Sequence, residues 1–80
     1  MKIKLSDYVG DTPLIPITIG DITVWAKCEF MNPSGSVKDR MATFIIDNAE
    51  KEGLISKGDT ICEATSGNSG ISFAMLAAER

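Results

Sequence analysis

The sequence predicts an α/β fold with the element order β-β-α-β-α. Three observations carry that prediction. Residues 22–30 alternate between apolar and polar side chains, the period of a half-buried strand. Val37, Met41, Phe44, Ile45 and Ala49 recur at helical spacing. From residue 60 onward a short β-type stretch passes through a polar, glycine-bearing connection into a second helical pattern, the strand–loop–helix unit of α/β proteins.

The elements follow in order. Gly10-Asp11-Thr12-Pro13 is a turn signature. Residues 14–19 are mostly β-branched and apolar, but Pro16 in their middle cannot donate to a ladder, so an edge or broken strand is expected. Gly20-Asp21 is a turn dipeptide, and a hairpin between the flanking strands is the simplest arrangement. The second strand should bury Ile22, Val24, Ala26, Cys28 and Phe30. Met31-Asn32-Pro33-Ser34-Gly35 is irregular. Ser36 reads as a helix N-cap, with Asp39 completing a capping box. Gly53 is the expected stop, with Leu54 making the contact beyond it. Lys57-Gly58-Asp59 is a turn, and Thr60-Ile61-Cys62-Glu63-Ala64 a short strand. Ile71, Ala74, Met75 and Ala78 form the apolar stripe of the last helix.

Composition narrows the function classes. The chain has 80 residues, room for one small domain and no separate second one. Apolar residues make up 44% and charged residues 24%, ordinary globular values. Eight Lys and Arg stand against 11 Asp and Glu, a net charge of −3, so nucleic acid is not an expected partner. No apolar run is long enough to span a membrane. Met1-Lys2-Ile3-Lys4 opens no leader-like apolar stretch, which points to a cytoplasmic protein. Histidine is absent, which removes Ser–His–Asp and Cys–His nucleophiles and His-ligated metal sites. Cys28 and Cys62 are expected to be reduced, buried thiols. The last helical pattern reaches Arg80 with no Gly or Pro stop. It reads as an amino-terminal piece of a larger protein, or else as a short domain whose last helix runs to the terminus.

Two loops open the two helices, and both are dense in small polar residues. The loop Thr65-Ser66-Gly67-Asn68-Ser69-Gly70 sits where ligands bind in open α/β sheets. Its backbone N–H groups and the hydroxyls of Thr65, Ser66 and Ser69 suit a carboxylate or phosphate, although a plain N-cap with a flexible lead-in fits the same residue types. Lys38 falls in the first turn of its helix, at the positive end of the dipole, an unfavourable place for a cation. Schiff-base chemistry starts from an uncharged lysine amine. A surface lysine offset by Asp39 is the other reading.

The residues match a family. Asn32-Pro33-Ser34-Gly35-Ser36-Val37-Lys38-Asp39-Arg40 resembles the cofactor-lysine segment of the cysteine synthases (O-acetylserine sulfhydrylases). Ala64-Thr65-Ser66-Gly67-Asn68-Ser69-Gly70 resembles their asparagine loop, and Gly10-Asp11-Thr12-Pro13-Leu14 their opening turn. The order and spacing of the three also fit. Ala64 stands where many cysteine synthases carry Pro, a pattern similar to the B-type isozyme, and Ser69 replaces the commoner Thr while keeping the hydroxyl. Threonine and serine dehydratases of the family usually carry His after the Asn and Phe before the Lys. Ser69 and Val37 occupy those places here.

The resemblance implies a tryptophan-synthase-β-like fold, the fold-type II group of pyridoxal-phosphate enzymes, with residues 1–80 forming the amino-terminal part of the catalytic domain. It implies pyridoxal 5'-phosphate as cofactor, and Lys38 as its Schiff-base lysine and as the base at the substrate Cα. It implies Asn68 as a hydrogen-bond donor to the cofactor's 3′-oxygen. Thr65, Ser66, Gly67, Asn68 and Ser69 would hold the substrate α-carboxylate. The implied reaction is β-replacement, making L-cysteine from O-acetylserine and sulfide. The alternatives are a relative on the same scaffold, cystathionine β-synthase or a cysteine lyase producing hydrogen sulfide, or a truncated, non-catalytic fragment. The full-length protein would be a homodimer. The family's phosphate cup and its partner for the pyridine nitrogen would lie beyond residue 80, so the segment alone should not bind the cofactor tightly.

Overall fold

The order of elements follows from turn chemistry at a few points. The computed structural model describes residues 3–80, and the leader reading at Met1 and Lys2 lies partly outside them. Strand β1 (Leu14–Ile19) and strand β2 (Ile22–Lys27) pair antiparallel, with Ile19 opposite Ile22 across the Gly20-Asp21 turn. The ladder continues to the Cys28 N–H, which donates to the Pro13 carbonyl at 2.8 Å. Bonded and non-bonded pairs alternate along such a ladder, so Pro16, opposite Trp25, falls in a non-bonded pair. Its missing N–H is directed to the open edge, and β1 runs unbroken. Ile15, Ile17 and Ile19 share one face with Ala26, Val24 and Ile22, as the alternation predicts.

Burial of that face is not observed. Ile22 and Val24 are exposed, Ala26 is half-buried, and only Cys28 of the expected set is buried. Phe30 falls in a 3-10 turn (Glu29–Met31) that ends the alternation, and it is 70% exposed. A two-stranded ribbon buries a face only against another layer, and no described residue supplies one.

Helix α1 (Lys38–Lys51) and helix α2 (Asn68–Glu79) pack on each other, and their contact is the core: Ala42, Ile46, Phe73 and Leu76, flanked by Ile55 and Met75. The buried side of α1 is Asp39, Ala42 and Ile46 rather than the predicted stripe. Val37, Met41, Phe44 and Ile45 are exposed and Ala49 is half-buried. On α2, Ser72, Phe73 and Leu76 are buried, while Ile71, Ala74 and Ala78 of the predicted stripe are exposed. Both helices therefore carry apolar residues on more than one side. The contact mixes the small Ala42 and Ser72 with the bulkier Ile46, Phe73 and Leu76, and the other large apolar residues of α1, Met41, Phe44 and Ile45, lie outside it.

The stop at Gly53 is a Schellman motif. Its N–H donates to the Glu50 carbonyl at 3.2 Å, that of Leu54 to the Ala49 carbonyl at 2.9 Å, and Gly53 takes φ +72°. The Leu54 side chain stays exposed. The Lys57-Gly58-Asp59 turn closes through the Asp59 N–H to the Ser56 carbonyl (3.0 Å) and the Ser56 N–H to Asp59 Oδ2 (2.9 Å). Residues 60–64 do not form the predicted strand. They are exposed and carry no ladder bonds, because no other described segment offers a free strand beside them. The observed order is thus β-β-α-α. Cys28 is buried as expected, whereas Cys62, on this unpaired stretch, is exposed; both are free thiols.

The reassigned helix faces are testable in the 80-residue chain by urea unfolding. Leu76→Ala should lower the unfolding free energy by about 2–5 kcal/mol. Phe44→Ala, on the predicted but uncovered stripe, should change it by no more than about 0.5 kcal/mol.

Candidate functional site

The lysine-bearing segment is held from two sides. On one side lies a polar cluster of Gly10, Thr12, Glu29, Asn32 and Arg40. Arg40 reaches the Glu29 carboxylate with two bonds, Nε to Oε2 at 2.9 Å and Nη2 to Oε1 at 3.0 Å. Thr12 Oγ1 donates to Glu29 Oε1 at 2.7 Å and Asn32 Nδ2 to Oε2 at 2.7 Å. The Gly10 N–H donates to Asn32 Oδ1 at 2.9 Å, and Asn32 is buried. The opening turn and the Asn32-Pro33 turn are thereby joined. The hydrogen bonds from Arg40 and Thr12 outweigh desolvation and hold the Glu29 carboxyl at about 2, against an ordinary 4.5.

On the other side is Asp39. It does not close a capping box on Ser36. Ser36 Oγ instead accepts from the Lys38 N–H at 3.2 Å, and Val37 at the cap already has helical angles. The Asp39 carboxylate turns inward and is fully buried. Its Oδ2 accepts from the Ser34 N–H at 2.8 Å, and its Oδ1 from the Ser34 hydroxyl and, at 2.6 Å, from the Ser72 hydroxyl of α2. Ser34 Oγ and Ser72 Oγ lie 3.2 Å apart. A carboxylate in the first turn of a helix also complements the dipole.

Lys38 opens α1 at the surface. Its side chain is exposed, and its ammonium has no hydrogen-bond or ion-pair partner among the described residues. The residue after it contacts α2 through Ser72, so the two helix openings stand side by side. The loop preceding α2 is organised by Thr65, whose Oγ1 accepts from the N–H of Gly67 (3.0 Å) and of Gly70 (3.2 Å). Gly67 is the N-cap of α2, and Thr65, two residues before it, acts as a cap from outside: its hydroxyl oxygen is engaged by the helix rather than left open. The amides of Asn68 and Ser69, first in the helix, have no acceptor among the described residues. Ser66 and Asn68 are exposed, and Gly67 and Ser69 half-buried. A Cβ on Gly70 would stand 2.7 Å from Thr65 Cγ2, so glycine is required for the cap to form.

Sequence reasoning singled out Lys38 and the loop of Thr65, Ser66, Gly67, Asn68 and Ser69, and the structure brings these two segments to adjacent helix starts. It missed the residues that join them. Ser72 carried a usable signal, because it falls in phase with Phe73 and Leu76 and a serine on that side needs a partner. Glu29 carried none, since it reads as an ordinary outward residue of the second strand.

A family model described as pyridoxal-phosphate dependent enzyme matches residues 5–80. Cysteine synthase B of Campylobacter jejuni is 50% identical over 76 residues, covering 95% of this chain and 25% of that protein. Cystathionine beta-synthase of Apis mellifera is 53% identical over 78 residues, covering 90% of this chain and 16% of that protein. The crystal structure of a hydrogen sulfide-producing enzyme from Fusobacterium nucleatum superposes with a TM-score of 0.88 at 45% identity, over 99% of this chain and 27% of that one. The chain spans about a quarter or less of the length of the relatives it matches. No helix among the described residues is long and apolar enough to cross a membrane.

Two outcomes follow from the geometry. A depressed carboxyl contributes stability that is present above its unfolded value and is lost as pH falls toward its folded one. Glu29 should therefore titrate by carboxyl NMR at about 2, and Arg40→Gln should return the midpoint toward 4.5 and remove the acid sensitivity of stability between those values. Gly70→Ala should displace Thr65 and cost about 1 kcal/mol, the worth of an N-cap, with faster hydrogen exchange at the Gly67 amide.

Proposed function

The chain belongs to the pyridoxal-phosphate dependent enzyme family, and from that premise we propose that the full-length protein is a cysteine synthase, making L-cysteine and acetate from O-acetylserine and sulfide. One observation carries the reading: a lysine amine and two helix-start amides, without partners among the described residues, stand at adjoining helix openings. The cysteine-synthase-like identity of the chain supports the same choice.

The residues present fit such a cofactor. Lys38 offers an amine with no competing partner among the described residues, as covalent attachment to an aldehyde requires. Asn68 offers an exposed carboxamide at the start of α2, suited to the cofactor's 3′-oxygen. Gly67 leaves open space beside the loop backbone, whereas Gly70 packs against Thr65. When bound, the cofactor supplies the electron sink for the substrate carbanion.

The chain's own residues supply grip and proton transfer. The amides of Asn68 and Ser69, with the hydroxyls of Ser66 and Ser69, hold the substrate α-carboxylate, helped by the positive end of the α2 dipole. Thr65 shapes that grip by capping the loop. A held carboxylate orients the Cα–H bond, and the Lys38 amine removes that proton. Elimination of acetate and addition of sulfide at Cβ complete the exchange. A cytoplasmic homodimer acting on a free amino acid belongs to this reading, and the 80 residues alone carry no turnover.

A second reading has specific support. The Apis mellifera relative is named a cystathionine beta-synthase and the Fusobacterium nucleatum one a hydrogen sulfide-producing enzyme, at identities comparable with the cysteine synthases. On that reading Lys38 and the loop keep their roles, and the thiol or the direction of exchange differs.

The test uses the full-length protein. Cysteine should form from O-acetylserine and sulfide, and Lys38→Ala should abolish the visible band of the covalently held cofactor and lower turnover by about 10²–10⁴-fold. A persisting band and turnover would remove Lys38 from its role. Product only from serine with homocysteine, or sulfide release from cysteine, would select the second reading.

A further inference from the structure

Lys38 and the Asn68–Ser69 amides lie on different helices, and the described residues tie the two openings together through one carboxylate. Asp39 and Ser72 are both 0% exposed, the only polar pair with no solvent contact among the described residues. A buried carboxylate is costly unless directed donors satisfy it. Asp39 has no ion-pair partner among the described residues, so its charge rests on the Ser34 N–H, the Ser34 hydroxyl, the Ser72 hydroxyl and the helix dipole. Those donors come from the elements that carry the candidate site. Ser34 belongs to the turn that leads into Lys38, and Ser72 lies one turn beyond Asn68.

The rotation of α1 follows. Neighbouring residues on a helix diverge by about 100°. With Asp39 drawn inward onto Ser72, the preceding residue is turned out of the helix contact, and Lys38 stands at the open side of the α1–α2 pair. Resting on the reading of Lys38 as the cofactor lysine, we infer that Asp39 is a positioning residue for the reaction. Through Ser34 and Ser72 it sets the phase of α1, and so the place of the Lys38 amine relative to the carboxylate grip at the start of α2. Ser72 is the link to α2, and Ser34 is the link to the loop.

The test is Ser72→Ala in the full-length holoenzyme, which removes the α2 link and leaves Asp39 its two bonds from Ser34. Misplacement of a base by about 1 Å can cost 10²-fold, so kcat for cysteine formation should fall by about that factor. The rate of solvent exchange at the substrate Cα should fall in parallel. KM for O-acetylserine and the visible band of the bound cofactor should stay near the parent values, because the grip and the covalent attachment are intact. A lower Tm with kcat and Cα exchange unchanged would overturn the inference and leave Asp39 a packing residue. If Ser72→Ala does not fold, Ser34→Ala, at a half-buried position, is judged by the same two rates. Lys38→Ala in parallel separates the two levels. A Lys38→Ala protein that keeps covalent cofactor and turnover removes the underlying reading. An inactive Lys38→Ala beside a fully active Ser72→Ala removes the role of Asp39 alone.

Discussion

A carboxylate taken out of water must be surrounded by donors, and the way Asp39 meets that demand organises the rest of the chain. The nearest donors are two on Ser34 and one on Ser72, and accepting all three draws a turn, a helix start and a second helix to one point. The hydrophobic contact of Ala42 and Ile46 with Phe73 and Leu76 continues from there along the same helix face. The apolar core is small, so the polar junction at its end does more than decorate it. It sets the register in which the helices meet.

The second polar cluster acts on the other end of the same segment. Glu29, Arg40, Thr12 and Asn32 connect the opening turn, the end of the hairpin and the second residue after Lys38. Lys38 therefore lies between two anchored neighbours, Asp39 facing the core and Arg40 facing the hairpin. The far end of α2 is tied in the same manner. Arg80 pairs with Asp47, Glu50 and Glu79, and Ser6 donates to Glu79. Burial works against the charged form of Glu79, yet the bonds from Ser6 and the charge of Arg80 hold its carboxyl below the usual value.

Local chemistry was legible in the residues, and partner choice was not. The hairpin, the Gly53 stop, the turn at Lys57-Gly58-Asp59 and the polar loop before α2 depend on neighbours close in the chain, and each stands where its residues place it. Which side of a helix is covered depends on what lies across from it. The heavy stripe of Val37, Met41, Phe44 and Ile45 is a sound helical pattern, but the contact with α2 formed on the side of Asp39, Ala42 and Ile46. Residues 60–64 show the same limit in a strand, since β-type residues mark a willingness to pair and a ladder needs a second participant. At the site, Lys38 and the Asn68 loop were readable from residue type and order. Asp39 was noticed for the wrong reason, as a local cap, because its true acceptor role spans two helices distant in sequence.

Pro16 has a consequence beyond the hairpin it interrupts so little. A ribbon with two open edges and a row of isoleucines is a template on which foreign strands can grow into aggregates. The outer rim of β1 lacks a donor at Pro16, so an incoming chain would find a gap in the ladder there. That proline acts as a gatekeeper, and it leaves β2 as the more adhesive rim of the ribbon.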